Sequence, residues 1–167
     1  AMAKGAVPTF LERFGDRMPQ TLRDALDIAM EAYGEMLDFA AKDPDRTLCH
    51  TDTHLGNIQF QGGRPRFLDW QAFTMQSYSY DVAYLLNGNL TINDRRNYLE
   101  AFLDTYFDAL NKGGVDDLLR EDVTASYHRA AAGQLVTIPL IAGAVLTNDE
   151  KGNQLANAGL PRFFAAR

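Results

Sequence analysis

The segment that decides the fold begins His50-Thr51-Asp52-Thr53-His54-Leu55-Gly56-Asn57 and ends Asp69-Trp70-Gln71. Between these two motifs lie two runs suited to β-strands, residues 58–61 and 66–69, which are separated by a pair of glycines. Glycines adopt positive φ at little cost, so a glycine pair between such runs predicts a hairpin turn. The sequence therefore predicts a polar loop that leads into a two-stranded hairpin, over residues 47–71.

The register of this hairpin decides which side chains meet. If the turn comprises residues 62–64, Asn57 lies directly opposite Asp69; if it comprises residues 62–63 alone, Asn57 faces Leu68. Directly opposed residues have Cβ atoms about 4.5–5.5 Å apart, close enough for an amide oxygen and a carboxylate to share one cation. Both groups are hard oxygen ligands, which suit Mg²⁺ or Mn²⁺.

Asp52 would remain beside this metal site. A third acid there is placed to orient a hydroxyl group and accept its proton. Taken singly, these residues have ordinary interpretations: Asp52 could cap a helix, Asn57 could occupy a turn, and Asp69 could end a strand. Their occurrence together and in order favours the functional interpretation.

The rest of the chain carries mostly helical patterns. Apolar residues recur at three- and four-residue steps, as expected for helices with one face in the core. The fold class that follows is α+β, mainly α, in a single domain with a small β-hairpin at its centre. The predicted helices cover residues 9–14, 19–42, 82–86, 93–110, 115–132, 133–146 and 150–164.

The order His50-x-Asp52-x-x-x-x-Asn57, followed by Asp69-Trp70-Gln71, resembles the catalytic core of aminoglycoside phosphotransferases and their choline kinase-like relatives. The familiar pattern is HGDxHxxN followed by Asp-Trp-Glu or Asp-Trp-Gln. Asp81-Val82-Ala83 is similar to the Asp-Leu-Ala element that comes next in that family. The resemblance is anchored in residues 47–86.

This resemblance implies a role for each matching residue. Asp52 would be the catalytic base that faces the substrate hydroxyl, and Asn57 and Asp69 would bind the Mg²⁺ that bridges the phosphates of ATP. His50 would brace the loop, and Asp81 would hold it from behind. The implied protein is the C-terminal lobe of a protein-kinase-like phosphotransferase that acts on a small hydroxylated molecule.

The sequence departs from the family pattern in two respects. Thr51 stands where the family has glycine. No glycine-rich loop and no strand lysine precede Asp52, so the N-terminal nucleotide-binding lobe is expected to be absent, through excision or natural truncation. This chain alone is then expected to be inactive, and self-association is one way to cover the apolar face left by the missing lobe.

Composition excludes several other classes of protein. The net charge of −6 argues against a surface that binds nucleic acid phosphates, and the chain has no basic cluster suited to an anionic membrane. A single cysteine, Cys49, is typical of a reducing compartment. The expectation is a soluble, cytoplasmic protein.

Two other functions remain open at this stage. His50, Asp52 and His54 alternate, so on an extended strand they would share a face and could, with Asp69, hold Zn²⁺ or iron for a hydrolase. The chain could also be a non-catalytic kinase remnant that binds a partner. Asp81 could simply cap a helix. Nothing in the sequence selects the acceptor, whether an aminoglycoside, choline, homoserine or another alcohol.

Overall fold

A computed structural model describes residues 2–144 together with residues 150 and 154. The chain divides into two compact units, one formed by Ala1–Lys42 with Ala132–Arg167 and the other by Asp43–Ala131. The mainly helical α+β class is confirmed; the single-domain organisation stays a prediction. Within the described ranges, no helix has the length and apolar character needed to span a membrane.

The first unit begins with three helices, α1 (Met2–Phe14), α2 (Gln20–Glu31) and α3 (Tyr33–Lys42). Its buried side chains include two from α1, Phe10 and Phe14, and two from α2, Leu22 and Leu26. The predicted helix over residues 19–42 is therefore interrupted at Ala32, and no residue of α3 is buried. Periodicity located α2 and α3, but the expectation of one continuous core-facing stripe was wrong for α3.

The second unit contains two small antiparallel sheets. Strand β1 (Arg46–Cys49) pairs with β4 (Thr74–Ser77), and β2 (Ile58–Gln61) pairs with β3 (Arg64–Phe67). The hairpin was predicted, whereas no strand was predicted over residues 74–77. The β1–β4 pair joins the two ends of the segment that contains the polar loop and the hairpin.

Helices α4 (Tyr80–Asn89), α5 (Ile92–Lys112) and the start of α6 (Arg120–Ala144) supply the core of the second unit. On α5 two adjacent residues differ in burial: Phe102 is 41% exposed, whereas Leu103 is fully buried. Each of these two residues has apolar neighbours three or four positions away, so periodicity alone does not indicate which of the two is buried. The buried apolar residues of this helical cluster are Ala83, Leu86, Leu103, Val123, Tyr127 and Ala130.

Helix α6 continues through Gly133, where two separate helices were predicted. One glycine inside a helix costs only about 1 kcal/mol, which burial of neighbouring residues such as Val136 offsets. The last predicted helix, over residues 150–164, lies outside the described residues apart from positions 150 and 154.

Candidate active site

The polar loop lies between the end of β1 and the start of β2, and its first residues are held by Asp81. One carboxylate oxygen of Asp81 accepts the backbone N–H of His50 at 2.7 Å, and the other accepts that of Thr51 at 2.8 Å. Helix α4 begins at Tyr80 with Ser79 at the N-cap position, so Asp81 is not the cap. Its carboxylate satisfies loop amides that regular structure leaves without partners.

The far end of the loop is held by Asn89, which the sequence analysis did not single out. Its side-chain oxygen accepts the N–H of Leu55 at 2.8 Å, and its side-chain nitrogen donates to the carbonyl of Thr53 at 3.2 Å. Asn89 lies two helical turns beyond Asp81, on the same face of α4. That spacing was the available signal, but an asparagine at a helix C-terminus usually indicates only a cap.

His50 is 1% exposed, and both of its ring nitrogens are engaged. Nε2 lies 2.7 Å from the carbonyl oxygen of Leu68, and Nδ1 accepts the N–H of Asp52 at 3.3 Å. The ring also packs against Trp70, with 4.7 Å between ring centroids. His50 therefore joins the loop to the end of the hairpin.

The carboxylate of Asp52 stands at the centre of the site. Oδ2 accepts a hydrogen bond from Nδ2 of Asn57 at 3.1 Å, and Oδ1 accepts one from the hydroxyl of Tyr84 at 3.2 Å. Nε2 of His54 lies 3.6 Å from Oδ2. The Asp52 side chain is still 35% exposed, so an external hydroxyl can reach it.

The amide of Asn57 has a defined orientation. Its nitrogen faces two acceptors, the carbonyl of Asp52 at 3.0 Å and the carboxylate of the same residue. This geometry turns the amide oxygen away from both. Among the described residues that oxygen has no hydrogen-bond partner, and it can therefore serve as a ligand.

The hairpin adopts the register with the shorter turn. Gln61 pairs with Arg64, so the turn contains only Gly62 and Gly63, both at positive φ. The N–H of Leu68 donates to the carbonyl of Asn57 at 2.8 Å, which leaves Asp69 one position beyond the directly opposed pair. Of the two registers that the sequence left open, the structure has the one that places Asn57 opposite Leu68.

Asp69 has unusual backbone geometry. Its φ of 60° and ψ of 64° lie in the left-handed region, which costs a residue with a Cβ roughly 1–2 kcal/mol. This conformation ends the path of β3, and the Asp69 side chain is exposed. No hydrogen bond joins Asp69 to Asp52 or Asn57 within the described ranges. The structure thus brings Asp52 and Asn57 into contact and leaves Asp69 as a separate, accessible carboxylate.

Among the residues that the structure describes, Thr51 is the other one with a side chain at positive φ, at 64°. This value explains why glycine suits the position, since a β-branched residue rarely adopts it. The hydroxyl of Thr51 donates to the carbonyl of Ala72 at 2.6 Å, which partly offsets the strain. Thr51 is therefore tolerated because its hydroxyl forms a hydrogen bond between the loop and the segment after the hairpin.

Gly56 lies close to the side chain of His54, so a larger residue at this position would displace the His54 ring. A Cβ at this position would lie 2.8 Å from Cε1 of the His54 ring. The N–H of Gly56 donates to Nδ1 of that ring at 3.0 Å, so the proton of the neutral imidazole resides on Nε2. Nε2 is the ring nitrogen that faces Asp52.

Cys49, the last residue of β1, is buried and has a perturbed pKa. Burial, and secondarily the charge of Asp81, raise the thiol pKa from 9.0 to about 11. The thiol contacts the carbonyl oxygen of Ser77 at 3.4 Å. Cys49 is therefore a neutral packing residue of the β1–β4 pair at neutral pH.

This shift predicts a loss of stability at alkaline pH. A raised acid pKa contributes stability that is fully present below the unfolded pKa of 9.0 and is lost as pH rises from there through the folded pKa of about 11. Over that window we expect the folding equilibrium constant of the wild type to fall up to about 100-fold more than that of Cys49→Ala. Urea unfolding of both proteins from pH 8 to 11 would measure it, and coincident pH slopes would refute it.

Comparison with known proteins adds one decisive observation. A model of the phosphotransferase enzyme family (APH) matches residues 8–119, which is more than half of the chain. The chain belongs to the APH phosphotransferase family. The resemblance inferred from residues 47–86 is thereby confirmed, and the family match includes the loop, the hairpin and α4. No curated protein and no solved structure matches this APH chain.

Proposed function

We propose that this APH phosphotransferase is an ATP-dependent kinase that transfers the γ-phosphate to a hydroxyl group of a small molecule. The chain would supply the C-terminal, catalytic-loop lobe. The observation that carries the proposal is the state of Asp52: its carboxylate is held by Asn57, sits on a loop fixed by Asp81, and is still accessible. A positioned, reachable carboxylate is what a hydroxyl acceptor requires.

Asp52 would act as the general base. As the acceptor oxygen attacks the γ-phosphorus, its proton would pass to a carboxylate oxygen of Asp52, while the bond from the γ-phosphorus to the β–γ bridging oxygen breaks. The products are a phosphorylated alcohol and ADP, and the proton on Asp52 is then released to solvent. His50 and Asp81 would keep the loop in place and take no part in proton transfer.

Asn57 and Asp69 are the residues that would hold Mg²⁺ or Mn²⁺. Their donor atoms fit such an ion, because both are hard oxygens and the amide oxygen of Asn57 has no hydrogen-bond partner in the described part of the chain. The strained backbone of Asp69 supports the same assignment, since strain is retained where a side chain serves a function. A magnesium ion held by these two residues would neutralise negative charge on the phosphates of ATP.

Magnesium-dependent ADP release tests the proposal, in the full-length protein that carries this chain. With small alcohols as acceptors, Asp69→Asn should raise the Mg²⁺ concentration needed for half-maximal rate at least about tenfold. This factor corresponds to about 1.4 kcal/mol of lost binding. Asp104→Asn is the matched control, because Asp104 is an exposed carboxylate paired with Arg120. An unchanged Mg²⁺ dependence in Asp69→Asn would remove Asp69 from the metal site.

The geometry gives no support to the hydrolase alternative. That hypothesis needed His50, Asp52 and His54 on a strand, but β1 ends at Cys49 and these residues lie in the loop. The ring nitrogens of His50 are already engaged within the protein. Stoichiometric Zn²⁺ binding that disappears in both His50→Ala and His54→Ala would restore the alternative.

A further inference from the structure

The carboxylate of Asp52 needs more than one anchor. The torsion that orients a carboxylate about its Cβ–Cγ bond is broad, so a single hydrogen bond leaves its plane free to turn. Asn57 holds only Oδ2. Transfer to or from a hydroxyl depends on alignment, and misplacement of about 1 Å can cost roughly 10²-fold in rate.

Tyr84 supplies a second anchor on the other oxygen. Its hydroxyl lies 3.2 Å from Oδ1 of Asp52, and it comes from helix α4, 32 residues further along the chain. Asp81 lies one helical turn earlier on the same helix, so one rigid element holds both the loop backbone and the Asp52 side chain. Each carboxylate oxygen has two lone-pair sites. Each oxygen of Asp52 therefore keeps one site that can accept a hydrogen bond from the hydroxyl of the substrate.

We propose that Tyr84 is a positioning residue that fixes the plane of the Asp52 carboxylate toward the acceptor hydroxyl. This inference rests on the proposed function. The Asp81-Val82-Ala83 element that resembles the family ends one residue before Tyr84, so that resemblance gives Tyr84 no role. Burial, and then the charge of Asp52, raise the pKa of the Tyr84 phenol, which keeps its proton as a donor at neutral pH.

Tyr84→Phe removes the hydroxyl and keeps the ring. We expect kcat to fall about 10-fold, while KM for ATP and for the acceptor stay within about twofold, because only alignment is lost. The same substitution in an Asp52→Asn background should change kcat by less than about twofold, since the group that Tyr84 orients can no longer take a proton. A residue that only supports the fold would give the same factor in both backgrounds.

Tyr127→Phe is the matched control. Tyr127 is 3% exposed, and its hydroxyl donates to the side-chain oxygen of Asn87 at 2.8 Å, away from Asp52. It should change kcat by less than about twofold in either background. Equal effects of Tyr84→Phe in both backgrounds, or no effect in the wild type, would overturn the inference. Full activity of Asp52→Asn would instead overturn the proposed function itself.

Discussion

Replacing Asp52 with asparagine is expected to lower kcat about 10²–10⁴-fold, the range that a positioned general base contributes. The amide has nearly the same size as the carboxylate but cannot accept the proton of the acceptor hydroxyl. ATP binding should change little, because Asp52 is not among the proposed metal ligands. Steady-state ADP release combined with calorimetric titration of nucleotide would separate the two effects.

Asp104→Asn is again the matched control, since the side chain of Asp104 is 65% exposed and pairs with Arg120. It removes the same charge from the protein without touching the loop, and it should keep wild-type turnover. Wild-type turnover in Asp52→Asn would show that another group takes the proton. A loss of nucleotide affinity as large as the loss of rate would show that Asp52 acts in binding instead.

The second large effect is expected at Asp81. Asp81→Ala removes the acceptors of two loop amides, those of the buried His50 and of Thr51. Hydrogen bonds to charged groups contribute about 1.5–3 kcal/mol each, so with partial exposure we expect the free energy of unfolding to fall by about 2–4 kcal/mol. A loop displaced by about 1 Å would also lower kcat roughly 10²-fold.

Urea unfolding and steady-state kinetics on the same preparations would measure both effects. Asp81→Asn keeps one acceptor oxygen, and should fall between the wild type and the alanine variant in both measurements. Asp122→Ala is the control: Asp122 accepts the N–H of Leu119 at 2.9 Å at the start of α6, so it too loses a backbone contact. It should cost about 1 kcal/mol of stability and leave kcat unchanged. Equal kinetic effects of Asp81→Ala and Asp122→Ala would contradict the role given to Asp81.

The sequence predicted the structure best in segments where residue types with a specific chemical role occur at a characteristic spacing. It located the polar loop and the hairpin, because glycine turns and short polar motifs act locally. Of the three residues expected to converge there, Asp52 and Asn57 are in contact, whereas Asp69 lies apart as an exposed carboxylate. It left the hairpin register open, since Gly62-Gly63 permits a turn with or without Arg64. The β1–β4 pair was missed because a four-residue strand gains its stability from a partner that lies far along the chain.

Residues of α4 were harder to predict. Tyr84 and Asn89 lie on an ordinary amphipathic helix, and only the folded loop shows what their polar atoms contact. The sequence also did not identify the buried faces of α3 and α5, because helical spacing of their apolar residues allows more than one face to be buried. Periodicity finds a helix, but tertiary packing selects the side that is covered.

The way α4 holds the loop has a consequence for hydrogen exchange. Residues 50–57 contain almost no regular structure, and a free loop of that kind would exchange its amide protons quickly. Here the amides of His50 and Thr51 donate to Asp81, and that of Leu55 donates to Asn89. These three protons should therefore exchange together with the amides of α4, as one cooperative opening unit, and slower than the exposed amides at the hairpin tip.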